Sequence, residues 1–305
     1  MAKKIRTPEE VQASIDKKVA RRKIFFGTFT KSLALCLAIA LVYSVTMVAF
    51  APTGGTAAGG NTVTEKATEA PKTEGLTQEF LDEINNATKA AASGEYALKR
   101  NCAITQAIDV GSATSILNGI IQGVDKNASL DSVVGGFIGE GEIIASVKGG
   151  KYISGTNKGK DFDVDYFNKD KTSYLLKGME LKVEDIQTYN EADNKDGSFK
   201  LQIKDAQSPQ RSGGTPMEHA TNDFITMNEV QTSINGSVGE GVVTIQDSST
   251  VDYTEIWISG TIVDGKITNL KITYKFAVKL DLKVGLKVTG TGAAETVLEY
   301  SDIAY

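Results

Sequence analysis

A strict alternation of apolar and polar residues runs near the C-terminal end of the chain. Every even position from 270 to 288 is apolar, and the odd positions between them are mostly lysine, threonine or small residues. Successive side chains of a strand point to opposite faces, so the alternation predicts a strand with one buried and one exposed face. The first members of the apolar row are Leu270, Ile272, Tyr274, Phe276, Val278, Leu280 and Leu282.

This alternating segment is much longer than an ordinary strand, which has about 5–6 residues. The strand must therefore bend, coil with its sheet or break, and Gly285 is the natural place for a break. Asp264-Gly265, just before the segment, is typical of a two-residue hairpin turn. It predicts that the long strand pairs with residues 251–263.

Helical periodicity lies earlier in the chain. Thr77 is a suitable N-cap for a helix that Gly94 ends, and residues 112–124 and 127–137 contain two further helical patterns. Other segments alternate and predict strands: 96–108, 161–166, 179–183 and 199–203. The predicted fold class is α+β, with a curved antiparallel β-sheet packed with amphipathic helices, and the helices within 112–137 as its cover.

Residues 32–51 are twenty consecutive uncharged positions and form a candidate transmembrane helix. At about 1.5 Å per residue, such a helix reaches about 30 Å, the thickness of the hydrocarbon core. Basic residues precede it, so the positive-inside rule places residues 1–31 in the cytoplasm and the following chain outside. The alternative is a cleaved signal peptide, because Ala49-Phe50-Ala51 has the form of a cleavage site. The length of the apolar run and Pro52 favour the anchor.

Composition divides the chain into four parts. A cytoplasmic basic segment, 1–31, precedes the transmembrane helix, 32–51; a flexible Gly/Thr/Ala-rich linker, 52–75, then leads to an extracytoplasmic α+β domain, 76–305. Within this domain the sequence around Gly136 resembles that around Gly236. A duplication would give tandem modules of about 96–210 and 211–305, and chance similarity of two glycine-rich turns is the alternative.

Charge and composition exclude several functions. Residues 1–51 carry a net charge of +6 and residues 52–305 carry −11. An acidic domain repels phosphate backbones, so we expect no nucleic-acid partner. One histidine and two cysteines argue against histidine-based catalysis, a disulfide scaffold and a cysteine-rich zinc site. We expect no enzyme, no cofactor and no metal, and we expect Cys102 to be a buried free thiol.

Two acidic or basic motifs have simpler structural explanations. Asp161, Asp163 and Asp165 begin like a calcium loop, but Tyr166 stands where that loop needs glycine. The exposed side of a strand explains these aspartates better. His219, in the polar loop 205–221, is predicted to be an ordinary surface histidine.

A third motif gives an alternative function for the chain. Gly111-Ser-Ala-Thr114-Ser115 resembles, with its first two residues inverted, the sequence on which some extracytoplasmic electron-transfer subunits carry covalent FMN. That resemblance implies a covalent-flavin electron-transfer subunit with Thr114 as the attachment point.

A row of lysines occupies the other face of the long strand. Its members recur at every fourth position: Lys271, Lys275, Lys279, Lys283 and Lys287. Lysines on an edge strand prevent unwanted strand pairing, which is one interpretation of the row. The other is a basic stripe that binds anionic lipid head groups or an anionic wall polymer.

An apolar row on one face of a curved sheet, closed by a helix, resembles the architecture of lipid-carrying half-barrels and helix-in-sheet modules. The resemblance implies a membrane-anchored, extracytoplasmic, non-enzymatic protein that binds an apolar ligand or lipid on the row from Leu270 to Leu282. Its partners would be the membrane, through the N-terminal helix, and a lipid or envelope protein. The alternative is an envelope adhesion or assembly module that binds another protein or a polymer through exposed strands or the 205–221 loop.

Overall fold

A computed structural model describes residues 70–109, 138–190, 193–238, 244–284 and 286–305, with a few isolated positions between 110 and 137. The predicted cytoplasmic segment, the predicted transmembrane helix and the two helical patterns within 112–137 lie outside these residues. So do most of the predicted linker and much of both Gly136-like and Gly236-like turns.

The described chain contains four α-helices and two short 3₁₀ turns, Thr172–Tyr174 and Val183–Asp185. The helices are α1 (Gln78–Ala92), α2 (Val164–Asp170), α3 (Pro216–Ala220) and α4 (Met227–Val238). The strands are β1 (Glu95–Asp109), β2 (Gly141–Lys148), β3 (Lys151–Asn157), β4 (Lys160–Asp161), β5 (Ile186–Tyr189), β6 (Ser198–Ile203), β7 (Ala206–Gln207), β8 (Thr244–Ile245), β9 (Thr250–Val263), β10 (Lys266–Val284) and β11 (Leu286–Ala304).

The strands form one antiparallel sheet in the order β4-β3-β2-β1-β11-β10-β9-β6-β5, with β7 beside β9 and β8 beside β10. Strands from 96–210 and from 211–305 are interleaved in it, because β11 pairs with β1 and β9 pairs with β6. With its few helices, this sheet confirms the predicted α+β class. The chain enters at one edge, where the backbone of Lys72 bonds to Gln187 and Tyr189 beside β5.

The hairpin that the sequence predicts just before the long alternating segment is present. Asp264 and Gly265 both have positive φ, 51° and 71°, as a tight turn between β9 and β10 requires. β10 ends at Val284, which pairs directly with Leu286 at the start of β11. The predicted break therefore falls between these two strands, and Gly285 itself lies outside the described residues.

Helix α1 packs against β10 and β1 on one face of the sheet, called here the covered face. The hydroxyl of Thr77 caps the helix by accepting the Phe80 N–H, as predicted. Its own residues Leu81 and Ile84 are fully buried against the sheet. Burial of such a side chain stabilises the fold by about 1.5–3 kcal/mol. The helix ends at Ala92, two residues before the predicted Gly94, where a Cβ would collide with the carbonyl oxygen of Ala304.

A bulge in β9 decides which of its side chains face inward. Glu255 has a positive φ of 51°, and the pairing register with β10 shifts at this point. Tyr253 before the bulge and Ile256 and Ile258 after it are therefore all buried. Trp257 consequently points to the opposite face, called here the exposed face.

Two predicted strands are wrong. After Asp161 the side chain of Asp163 accepts the N–H groups of Asp165 and Tyr166, and this cap starts helix α2 instead. Residues 179–182 belong to no strand, Val183 begins a 3₁₀ turn, and the side chains of α1 bind the backbone of this segment. The amide of Asn85, for example, exchanges two hydrogen bonds with the backbone of Leu181, at 2.9 and 3.0 Å. Alternating burial therefore arose here without a neighbouring strand.

Candidate functional site

The predicted ligand row along β10 divides into two halves with different cover. Its first four members are buried, with 1–5% of their surface exposed: Leu270, Ile272, Tyr274 and Phe276. Val278 and Leu280 are half-buried, and the side chain of Leu282 lies outside the described part of the chain. The first half of the row is therefore protein core, and only the second half has apolar surface left for a ligand.

A buried arginine–aspartate pair lies on the same covered face. Arg100 faces inward from β1, in register with Leu298 of β11 and Ile272 of β10. Its Nε donates to Oδ2 of Asp223 at 2.7 Å, and its Nη2 donates to Oδ1 at 3.4 Å. The carbonyl oxygens of residues 139 and 138 accept from its two Nη atoms at 2.7 and 3.3 Å. The guanidinium is thus neutralised and bonded within the protein.

The surroundings of Arg100 keep it charged. Burial alone disfavours the guanidinium cation, yet the attraction of Asp223, assisted by Tyr174 and Tyr274, raises the pKa of Arg100 well above its ordinary value. The Tyr174 ring lies 4.2 Å from the guanidinium carbon, and burial raises the pKa of its hydroxyl to about 12. Because the arginine's charge is already compensated by Asp223, the pair acts as a structural pin rather than as a binding site for an anion.

Asp223 belongs to an extended segment, residues 221–226, called here the strap. The hydroxyl of Tyr274 donates to the Asp223 carbonyl at 2.6 Å, and the hydroxyl of Tyr253 accepts the Ile225 N–H at 2.7 Å. Arg211 donates to two further carbonyl groups of the strap at 2.9 and 2.7 Å. The strap is thereby fixed across β9 and β10, over the first half of the apolar row.

Cys102 and Thr296 pair across β1 and β11 next to Tyr274. Cys102 is 1% exposed, which confirms the predicted buried thiol, and burial raises its pKa. A protonated thiol is a poor nucleophile. The hydroxyl oxygen of Thr296 is fully buried, and among the described residues it has no hydrogen-bond partner. These side chains make the covered face slightly polar and supply no activated nucleophile.

The prediction of a surface histidine is wrong. His219 lies in α3 with 7% of its surface exposed, and its Nδ1 is 2.8 Å from Oδ2 of Asp185. The same carboxylate oxygen accepts the N–H of Lys182, and the His219 carbonyl accepts the N–H of Glu180. The pair therefore holds α3 against the turn that leads into β5. A capping box between Thr215 and Glu218 starts this short helix inside the predicted loop.

The predicted lysine row lies on the exposed face, and its described side chains are exposed: Lys271, Lys275, Lys279 and Lys283. The side chain of Lys287 lies outside the described residues. β10 pairs with β9 on one side and β11 on the other, so the interpretation of the row as edge protection is wrong. Lys271 pairs with Glu299 at 2.8 Å and Lys275 with Glu255 at 2.6 Å. Carboxylates on neighbouring strands thus offset part of the charge expected to attract an anionic surface.

Sequence reasoning missed Arg100, Asp223 and Asp185. Arg100 had a usable signal, because it occupies an inward position in the alternation of β1, where an unpaired charge is rarely tolerated. Asp223 and Asp185 had none, since each binds a residue far away in the chain, 123 and 34 positions from it.

The remaining predictions concern metals, the membrane and a covalent flavin. Within them, no cluster of three or more His, Cys, Asp or Glu side chains is arranged to hold a metal ion, and none of their helices is both long and apolar enough to cross a membrane. Thr114, the attachment point of the flavin alternative, is not among them. Comparison of the chain with family models, curated proteins and solved structures finds no match.

Proposed function

We propose that this chain is a membrane-anchored, extracytoplasmic, non-enzymatic protein that binds an apolar ligand or lipid on the covered face of its sheet. Residues 32–51 form the anchor, residues 1–31 remain in the cytoplasm, and the linker that ends beside β5 carries the domain outside. The observation that carries the binding proposal is the half-buried state of Val278 and Leu280.

The change along β10 supports a ligand site at one end of the apolar row. α1 and the strap bury the row as far as Phe276, so that part is occupied by the protein itself. Beyond Phe276, the apolar side chains of Val278 and Leu280 keep contact with solvent. Each methylene group of a ligand that covers them would contribute about 0.8 kcal/mol to binding.

The polar groups described above on the covered face lie level with Ile272 and Tyr274, in the first half of the row, and they favour hydrocarbon over a charged group there. The guanidinium of Arg100 is neutralised by Asp223 and bonded to backbone carbonyls. The Cys102 thiol is neutral, because burial raises its pKa. A buried anion would compete with Asp223 for the same arginine and would lose its hydration. We therefore place an acyl or similar hydrocarbon chain against Val278 and Leu280, with any head group toward solvent.

Photocrosslinking of the full-length chain in its own membrane tests this proposal. The probe is an acyl lipid that carries a diazirine within its hydrocarbon chain, and crosslinked peptides are mapped by mass spectrometry. Crosslinks are expected in two places, residues 32–51 and the peptide around 276–281. Leu280→Gln should reduce the second set at least about fivefold, because a polar side chain then faces the hydrocarbon.

Ala277→Gln is the matched control, because Ala277 is exposed on the opposite side of the same strand. It should leave both sets of crosslinks unchanged. Crosslinks confined to 32–51 would support the anchor and overturn the ligand site, whereas crosslinks confined to 276–281 would overturn the anchor.

A further inference from the structure

The exposed face of the sheet carries the chain's single tryptophan. Trp257 lies in β9 between the buried residues Ile256 and Ile258, so its indole points away from the core. The side chain is half-buried among its neighbours on the sheet. The ammonium group of Lys200, on β6, lies 4.9 Å from the ring centroid.

Trp257 belongs to a row of uncharged residues that crosses five strands. The strand register places these residues side by side in the order Asn101, Val297, Thr273, Trp257 and Gln202. All five are exposed or half-buried. Apart from Val297, the other residues of the row carry a side-chain amide or hydroxyl, groups that donate and accept hydrogen bonds. This set is called here the Trp257 row.

The charges beside this row are balanced by ion pairs between strands. Lys271 binds Glu299 at 2.8 Å on one side of the row, and Lys275 binds Glu255 at 2.6 Å on the other. Further along, Lys99 binds Glu142 at 3.0 Å. The surface therefore presents many polar groups of both signs and little net charge. A polyanion would gain little from such a surface, because each lysine in these pairs is accompanied by a carboxylate.

We propose that the Trp257 row binds an uncharged polysaccharide. One face of a sugar ring is lined with C–H groups and stacks on an indole, while its hydroxyl groups donate to and accept from the surrounding amides, hydroxyls and charged side chains. Neighbouring strands lie about 4.8 Å apart, close to the length of one hexose unit, so successive sugars laid across the strands meet successive residues of the row. The contact of Lys200 with the ring is an exposed cation–π interaction of about 0.5–1 kcal/mol, which a stacked sugar can replace.

A protein partner fits this surface less well. Protein interfaces have a buried core from which charged residues are depleted. Here the single aromatic ring is surrounded by Lys200, Lys271, Gln202 and Thr273, so an apolar core around it would desolvate several polar groups. The proposal is independent of the apolar ligand, because the two sites lie on opposite faces of the sheet.

The test uses the full-length chain in detergent and its retention on insoluble polysaccharides. The neutral probes are cellulose, chitin and dextran beads, and polygalacturonate beads are the anionic probe. We expect at least one neutral polysaccharide to retain the chain. Trp257→Ala should reduce that retention at least about tenfold through loss of the stacking surface, whereas Trp257→Tyr should keep most of it because a ring remains. Tyr305→Ala is the control, because Tyr305 is an exposed aromatic residue, 48% exposed, at the chain terminus.

Circular dichroism shows whether each variant is folded. If Trp257→Ala does not fold, retention of the Trp257→Tyr variant still tests the proposal. Fluorescence of the wild type adds an independent readout, since Trp257 is the only tryptophan and its emission should shift when the polysaccharide binds. The proposal is overturned by retention on none of the neutral probes, by equal retention of Trp257→Ala, or by retention on polygalacturonate alone. Trp257-dependent capture of an envelope protein without any polysaccharide would also overturn it, in favour of a protein partner.

Discussion

The two halves of β10 carry the same alternation and lie in different surroundings. In the first half the even positions are buried and Lys271 and Lys275 are exposed, as the pattern predicts. In the second half Val278 and Leu280 are only half-buried, while Asp281, at an odd position, is 2% exposed. Alternation therefore determines the face to which a side chain points. It does not determine what covers that face.

The strand partners of β10 also change along its length. It pairs with β9 as far as Lys279 and with β8 from Leu282. The turn between β8 and β9 contacts β10 at that point, where the Gln246 N–H donates to the Asp281 carbonyl and the hydroxyl of Ser248 donates to the Asp281 carboxylate. Thr289, on β11, donates to the same carboxylate at 2.6 Å. A buried carboxylate is tolerated there because hydroxyl groups replace its water.

The largest expected effect comes from the pin that holds the strap over the first half. Arg100→Met leaves the Asp223 carboxylate buried without its cation and should lower the free energy of unfolding by about 3–5 kcal/mol. The double variant Arg100→Met/Asp223→Leu should recover part of that loss, because no uncompensated charge remains. Denaturant unfolding measured by circular dichroism gives both values. A loss below about 1 kcal/mol for the single variant would show that the pin does not hold the strap.

Alanine substitutions in the two halves test the comparison directly. Ile272→Ala opens a cavity in the core and should cost about 2–5 kcal/mol of stability. Leu280→Ala removes a half-buried side chain and should cost about 1 kcal/mol. The two are compared by denaturant unfolding of the full-length chain. Equal losses would mean that both halves are core, and the ligand site would lose its structural basis.

Alkaline pH should lower the stability of the folded protein through the tyrosines buried around the first half of β10. Burial raises the pKa of Tyr96 to about 12, above the ordinary value of 10, and the folded state therefore holds its proton more tightly than the unfolded state. The stability from this group is complete below about pH 10 and is lost as the pH rises toward 12, at about 1.4 kcal/mol per pH unit. Tyr174 behaves in the same way.

Unfolding free energies measured between pH 8 and 11 test the direction of this pH dependence. We expect stability to fall steadily above about pH 10, and Tyr96→Phe to reduce the slope. The variant should also be less stable at neutral pH, by about 1–3 kcal/mol, because the Leu176 N–H loses its acceptor. An unchanged slope would show that Tyr96 titrates normally in the folded protein.

Much of the fold followed from local sequence, and the errors have definite physical causes. Thr77 and Asp264-Gly265 marked a helix start and a hairpin turn correctly, because caps and tight turns depend on a few adjacent residues. Residues 179–183 were wrongly predicted as a strand because side chains of α1 satisfy their backbone, and period two cannot distinguish that from pairing with a strand. The candidate sites were predictable only in part: the apolar row was visible, but its division at Phe276 was not.

The sequence by itself determined which side of an uninterrupted strand such as the first half of β10 faces inward, since that depends only on the two-residue period of an extended chain. In β9 the bulge at Glu255 shifts this period. It also determined that Cys102 is buried. The tertiary structure alone decided that α1 and the strap close half of the apolar row, that Asp281 is buried among hydroxyl groups, and that Arg100 and His219 find Asp223 and Asp185. Those outcomes depend on contacts between residues far apart in the chain, which the fold brings together and no local pattern records.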